Sequence, residues 1–146
     1  MIFKKPELED LPILRKYFEG LKFYNSGYTP GMMYLWAPFY NIEYAIVDDM
    51  VVCRAGKDKK RYSYPIGQGD AKAVLDQIIK ECEKDGTDFE MYGVTKDIEE
   101  KMVALYGDVF EVAYDRDNAD YVYLSEKLIS LSGKKLHSKR NHINQF

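Results

Sequence analysis

The stretch "IEYAIVDDMVVCRAGKDKKRYSYPIG" constrains the fold more than any other part of the chain. Two β-rich runs, Glu43–Val47 and Val51–Arg54, flank Asp48-Asp49-Met50. Alternating apolar residues on both sides of a short Asp-rich break predict a hairpin. The turn "GKDKK" then leads to a third run, Arg61–Ile66, which extends the hairpin into an antiparallel meander. Strands joined so closely leave no room for crossover helices, so a doubly wound parallel sheet is excluded.

Helical patterns surround this meander. "ELEDLPILRKYFEGL" has acids at its start, where they suit the helix dipole, and keeps Leu11, Leu14, Tyr17, Phe18 and Leu21 at helical spacing. "YNSGYTPGMM" reads as a loop, and "MMYLWAPFYN" as a short apolar helix or turn around Trp36. "GQGDAKAVLDQIIKECEKDG" predicts a helix with Val74, Leu75, Ile78 and Ile79 on one face and Gly86 as its stop. "DFEMYGV" reads as a strand. "TKDIEEKMVALYG" reads as a helix with Thr95 as N-cap and Ile98, Met102 and Leu105 as its stripe. Two further strands, Val109–Tyr114 and Tyr121–Leu124, surround an Asp/Asn turn, and "SEKLISLSG" is a short helix capped by Ser125. The sum is an α+β fold with a mixed, mostly antiparallel sheet flanked by helices. The 146 residues, 46% hydrophobic, suffice for a single core.

Charge is distributed unevenly. The net charge is -3, yet Lys134, Lys135, Lys139 and Arg140 stand in a tail without acids. Without them the first 133 residues carry 17 basic against 24 acidic side chains, a net of -7. So acidic a body argues against general nucleic-acid binding. Cys53 and Cys82 form no CxxC pair and have no histidine at ligand spacing, which argues against zinc and for reduced thiols in a cytoplasmic protein. The start has no apolar signal segment, and the longest greasy stretch, "GMMYLWAPFY", is too short to span a bilayer.

Several constellations could carry chemistry. In "YPIGQGDAKAVL" a strand enters Gly67-x-Gly69 and then a helix. Bare amides at the positive end of a helix suit an anion, which makes Gly67, Gly69 and Asp70 candidate cofactor-binding residues. The pattern is similar to the Gln/Arg-x-x-Gly-x-Gly/Ala motif of GNAT-type acetyltransferases, which holds the pyrophosphate of coenzyme A. The glycines fit, the Gln/Arg position is Tyr64, and Asp70 is an acid where a phosphate would sit. The alternative is a plain turn with Asp70 as N-cap. Asp115, Asp117, Asp120 and Glu126 lie near Arg116, as paired carboxylates for acid–base work or as a solvated turn. His137 and His142 are five apart, so on a helix they diverge by roughly 140°, which argues against a two-histidine metal site. A helix from Lys135 onward would place Lys135, Lys139 and His142 along one side and Leu136, Ile143 and Phe146 on another. Trp36 belongs either to the core or to a hydrophobic cleft.

The ordered segments "ELEDLPILRKYF", "YLWAPFYNIEYAIVDD", "YPIGQGD" and "NADYVYLSEKLISLSGKKLHSKRNHINQF" resemble one bacterial family along nearly the whole chain. It is the family related to the C-terminal domain of phosphatidylglycerol lysyltransferases. The most specific part is Asp120-Tyr121-Val122-Tyr123, then Leu128, Leu131, Gly133-Lys134-Lys135, His137, Lys139-Arg140-Asn141 and Phe146. The resemblance implies a tandem pair of GNAT-like domains. Residues 1–133 would form the N-terminal one, and 134–146 a basic connecting segment into a second half beyond this chain. It implies an acyl- or aminoacyl-transferase whose donor is a coenzyme A thioester or an aminoacyl-tRNA. Lys139, Arg140 and Asn141 are then candidates for binding an anionic donor or a lipid head group. The other reading is a non-catalytic scaffold or binding half that supports a C-terminal catalytic domain. No Ser-His-Asp, Cys-His or metal motif nominates a catalytic residue.

Overall fold

The computed structural model describes residues 1–21, 26–119 and 121–145. Tyr24 and Asn25 of the expected loop, Asp120 of the acidic group and Phe146 of the tail lie outside them. The chain divides into two units, Met1–Ala113 and Tyr114–Phe146.

The first unit is α+β, with a small antiparallel sheet between helices. A 3-10 turn, Leu8–Asp10, leads into helix α1, Leu11–Phe18, with a proline in its first turn. Helix α2, Pro30–Tyr40, also starts on proline and ends where Asn41 turns left-handed at φ 49°. Strands β1, Glu43–Val47, and β2, Met50–Ala55, pair antiparallel in the register Val47↔Met50 to Glu43↔Arg54. Asp48 and Asp49 form the two-residue turn, with φ of 48° and 57°. Two successive left-handed residues match the right-handed twist of a hairpin, and aspartate tolerates that conformation better than most side chains.

The third expected run divides into two short strands, β3, Arg61–Tyr62, and β4, Ile66–Gly67. Both pair antiparallel with β2, at Arg54↔Tyr62 and Met50↔Gly67. Ser63, Tyr64 and Pro65 interrupt the ladder. Proline has no N–H to donate. Opposite the break, the buried Ser63 Oγ accepts the Cys53 N–H at 2.9 Å, so the amide keeps a partner.

Side chains of β1 and β2 alternate between two cores. Tyr44, Val51 and Cys53 pack with Leu14, Phe18 and Met33 of the first two helices. Ala45, Met50 and Val52 pack with Val74, Ile78 and Cys82 of helix α3, Ala71–Asp85. Strand β2 is thus covered on both faces, and burial pushes the Cys53 thiol up to about 12, which leaves it unreactive. Helix α3 ends at Gly86, left-handed at φ 68°, where Thr87 N–H returns to the Cys82 carbonyl. Helix α4, Lys96–Tyr106, adds Ile98 and Met102 to a third cluster around Leu75. The Thr95 side chain makes no capping bond, although Thr95 occupies the N-cap position.

"DFEMYGV" contributes one parallel bridge, Tyr62↔Met91, rather than a full strand. The expected strands Val109–Tyr114 and Tyr121–Leu124 have no strand pairing among the described residues. In the second unit, helix α5 spans Ser125–Ser130 and starts without a side-chain cap from Ser125. A 3-10 turn, Lys134–Leu136, then leads into helix α6, His137–Ile143.

Candidate functional site

Strand β4 runs into α3 through Gly67, Gln68, Gly69 and Asp70, and the backbone there lies against the β1–β2 turn. A Cβ on Gly67 would stand 2.0 Å from the Asp49 carbonyl oxygen, and one on Gly69 would stand 1.8 Å from that of Asp48. Both glycines are therefore set by the close approach of two backbones. The amides at this junction have acceptors within the chain. Gln68 N–H donates to the Asp49 carbonyl at 3.1 Å, and Gly69 N–H points to the Met50 sulfur at 3.1 Å. Asp70 Oδ1 accepts from Lys72 N–H and Ala73 N–H at 2.9 and 3.2 Å, the bonds of an N-cap.

The nearest cation on α3 is also engaged. Lys72 Nζ donates to Asp76 Oδ2 at 2.7 Å and lies 5.0 Å from the centre of the Tyr106 ring. Tyr106 in turn donates its hydroxyl to Asp76 Oδ1 at 2.7 Å. The Lys72 and Tyr106 hydrogen bonds hold the Asp76 carboxyl below its usual range. Tyr64, which stands at the Gln/Arg position of the acetyltransferase pattern, packs beside Leu75, Ile98 and Met102 with Lys101 Nζ 5.6 Å from its ring centre. Its partly buried ring packs against this cluster, and burial pushes its hydroxyl up.

In the acidic turn, Asp115 accepts from the amides of Asp117 and Asn118 at 3.2 and 3.3 Å and from the Asn118 side chain at 2.6 Å. Arg116 covers the Tyr121 ring at 5.7 Å. These contacts shape a turn. On α2, Met33 and Ala37 face the core, while Leu35, Trp36 and Phe39 are exposed, with Trp36 edge-on to Phe39 at 5.6 Å.

The tail separates its three candidates. Arg140 Nη1 donates to the Leu131 carbonyl and, at 3.0 Å, to that of Gly133. Its Nη2 lies 3.3 Å from His137 Nδ1, and the Asn141 amide lies 3.4 Å from His137 Nε2. A guanidinium can only donate, so Nδ1 is the acceptor in its contact with Arg140. Lys139 points elsewhere, to the Tyr123 ring at 5.3 Å. His137 was not foreseen as a partner of these residues. Its i+3 and i+4 spacing to Arg140 and Asn141 is the sequence signal that could have found it.

The family described as phosphatidylglycerol lysyltransferase, C-terminal, matches residues 18–146. The chain belongs to this family. A crystal structure of a conserved protein of unknown function from Bacteroides thetaiotaomicron VPI-5482 superposes with a TM-score of 0.86 at 33% identity. The match covers 99% of this chain and 50% of that one, so the chain spans about half the length of its structural relative. No curated protein matches it. Among the described residues of this family member, no helix is long and apolar enough to cross a membrane.

Proposed function

We propose that this chain is the supporting N-terminal half of a tandem, GNAT-like acyl- or aminoacyl-transferase related to phosphatidylglycerol lysyltransferases. Residues 134–146 are its connecting segment, and the chemistry resides in a second half. One observation carries the choice of a supporting role. The amides at residues 68, 69, 72 and 73, where a donor's phosphates would be cradled, already donate to Asp49, Met50 and Asp70. An incoming pyrophosphate would have to displace a carboxylate that is covalently part of the helix start. The half-length match to the Bacteroides protein supports a two-part architecture, and the family description supports aminoacyl transfer. In such a reaction a hydroxyl or amine attacks an ester or thioester, and the protein supplies positioning and oxyanion donors. Calorimetry on this chain, and on a protein that carries both halves, tests the assignment. The expected result is no heat from the chain with coenzyme A thioesters or aminoacyl-tRNA, and binding of one donor by the longer protein.

A second reading is favoured by the direct passage of β4 into α3. In it Gly67, Gly69 and Asp70 form a donor site in this half after Asp70 releases its cap. Binding of coenzyme A by the chain alone, lost in a Gly69→Ala variant that remains folded, would establish this reading over the first.

A further inference from the structure

Helix α2 is apolar on two sides. Met33 and Ala37 face the core of the first unit. Met32, Leu35, Trp36, Phe39 and Tyr40 fill a second arc, roughly 140° wide at about 100° per residue, and all five are exposed. Their spacing, i, i+3, i+4, i+7 and i+8, is that of a stripe packed against a neighbour. A helix that is apolar over so much of its circumference belongs in an interior. The rings make one continuous surface, with Trp36 5.6 Å from Phe39 and 5.6 Å from Tyr40. We propose that this face is the seat of an apolar helix from the second half of the protein. The inference rests on the two-half reading and adds to it the place on this chain where the second half docks.

Area and charge select this occupant. Phe39 is 74% exposed, Leu35 63% and Tyr40 59%. Together with Trp36 they offer on the order of 500 Å² of apolar surface. A twofold contact between two copies of the chain would bury about 1,000 Å², short of the roughly 1,200–2,000 Å² of a stable specific complex. The same area lies within the roughly 600–1,500 Å² of interfaces between domains of one chain. A tether holds such a partner at roughly millimolar effective concentration, so a smaller contact suffices. A membrane is a poor match. An interfacial helix carries Lys and Arg along its polar side. Here no residue from 23 to 42 is charged. An uncharged aromatic face instead calls for an uncharged apolar one. The Bacteroides relative has the chain to provide it, since half of its length lies outside the match.

Trp36 is the sole tryptophan of this chain, so its emission reports on the face directly. The test measures acrylamide quenching of Trp36 in this chain and in a protein that carries both halves. In the longer protein, the difference from a Trp36→Phe variant isolates its signal. Quenching is expected to fall about threefold there, as in an interface core closed to water. Leu35→Lys together with Phe39→Lys should return it to the level of the chain alone. Both side chains are exposed in this chain, so the double variant folds and melts here nearly as the wild type does. Equal quenching in the two proteins overturns the proposal. So does shielding that survives the double variant, or shielding of the chain alone that grows with its concentration and so marks a second copy. Calorimetry with the donors on the same samples separates this inference from the reading it rests on. A longer protein that binds a donor while Trp36 stays open refutes the seat and keeps the two-half reading. A shielded Trp36 with donor binding by the chain alone refutes the supporting role and keeps the seat.

Discussion

Glu43 sits between two cations at the start of β1. Its Oε2 accepts from Arg54 Nε at 2.8 Å and from Lys60 Nζ at 3.2 Å, and the pairs are three-quarters buried. Burial pushes the carboxyl up, but hydrogen bonds from Arg54 and Lys60 outweigh it and hold the group below the ordinary value of 4.5. A carboxyl whose folded pKa is depressed adds stability that is complete above its unfolded pKa. That stability is lost as pH falls through the folded one. Glu43→Gln therefore costs about 1–2 kcal/mol at neutral pH, the value of charge-assisted bonds that are largely but not fully shielded from water. The gap between variant and wild type closes as pH drops below the carboxylate range. Urea unfolding at both ends of that range measures it, and a gap independent of pH would refute the ion-pair account.

At the scale of elements, the β4–α3 junction is fixed by the hairpin it touches. Gly69→Ala would drive a methyl group into the Asp48 carbonyl, and backbone on both sides cannot yield cheaply. The expected cost is about 3 kcal/mol, and thermal melting registers it as a clear loss of stability. Gly20→Ala, with no atom within 4 Å of the new carbon but φ 83°, should cost less, since only local backbone strain opposes it. The hairpin, α3 and α4 were legible in the sequence because their signals are local: alternation around Asp48-Asp49, and helical spacing of Val74, Leu75, Ile78 and of Ile98, Met102. The run Arg61–Ile66 was read as one strand because its interruption depends on where Pro65 and Ser63 fall opposite β2, a tertiary fact. "DFEMYGV" keeps a single bridge for the same reason: composition reports strand propensity but not a partner. In the tail, the cationic run was visible. Arg140 reaching back to Leu131 and Gly133 was not, because it follows from one rotamer and one left-handed turn.

At the scale of the whole molecule, the two units differ in how much apolar surface they hide. The first has three buried clusters on and beside its sheet. In the second, Tyr121, Val122, Leu124, Leu128, Ile129 and Ile143 are all exposed, with Ile129 at 84%, and Leu136 is its buried apolar residue among those described. A stretch of 33 residues that exposes so many aliphatic side chains buries little apolar area to set against chain entropy. Where exposed apolar side chains are contiguous, they mark an interaction surface. The segment 121–124 has the composition of a strand but no strand partner among the described residues. The chain by itself should therefore bind a hydrophobic dye and self-associate as concentration rises. Ile129→Glu together with Leu124→Lys should suppress both effects, with a change within about 0.5 kcal/mol in the stability of the first unit, because neither residue is buried there. Sedimentation across a concentration series, with dye fluorescence beside it, reads both outcomes. A wild-type chain that stays monomeric and dark would show that this surface needs no cover. If the dye signal instead disappears when the chain is joined to a second half, the surface is that partner's seat.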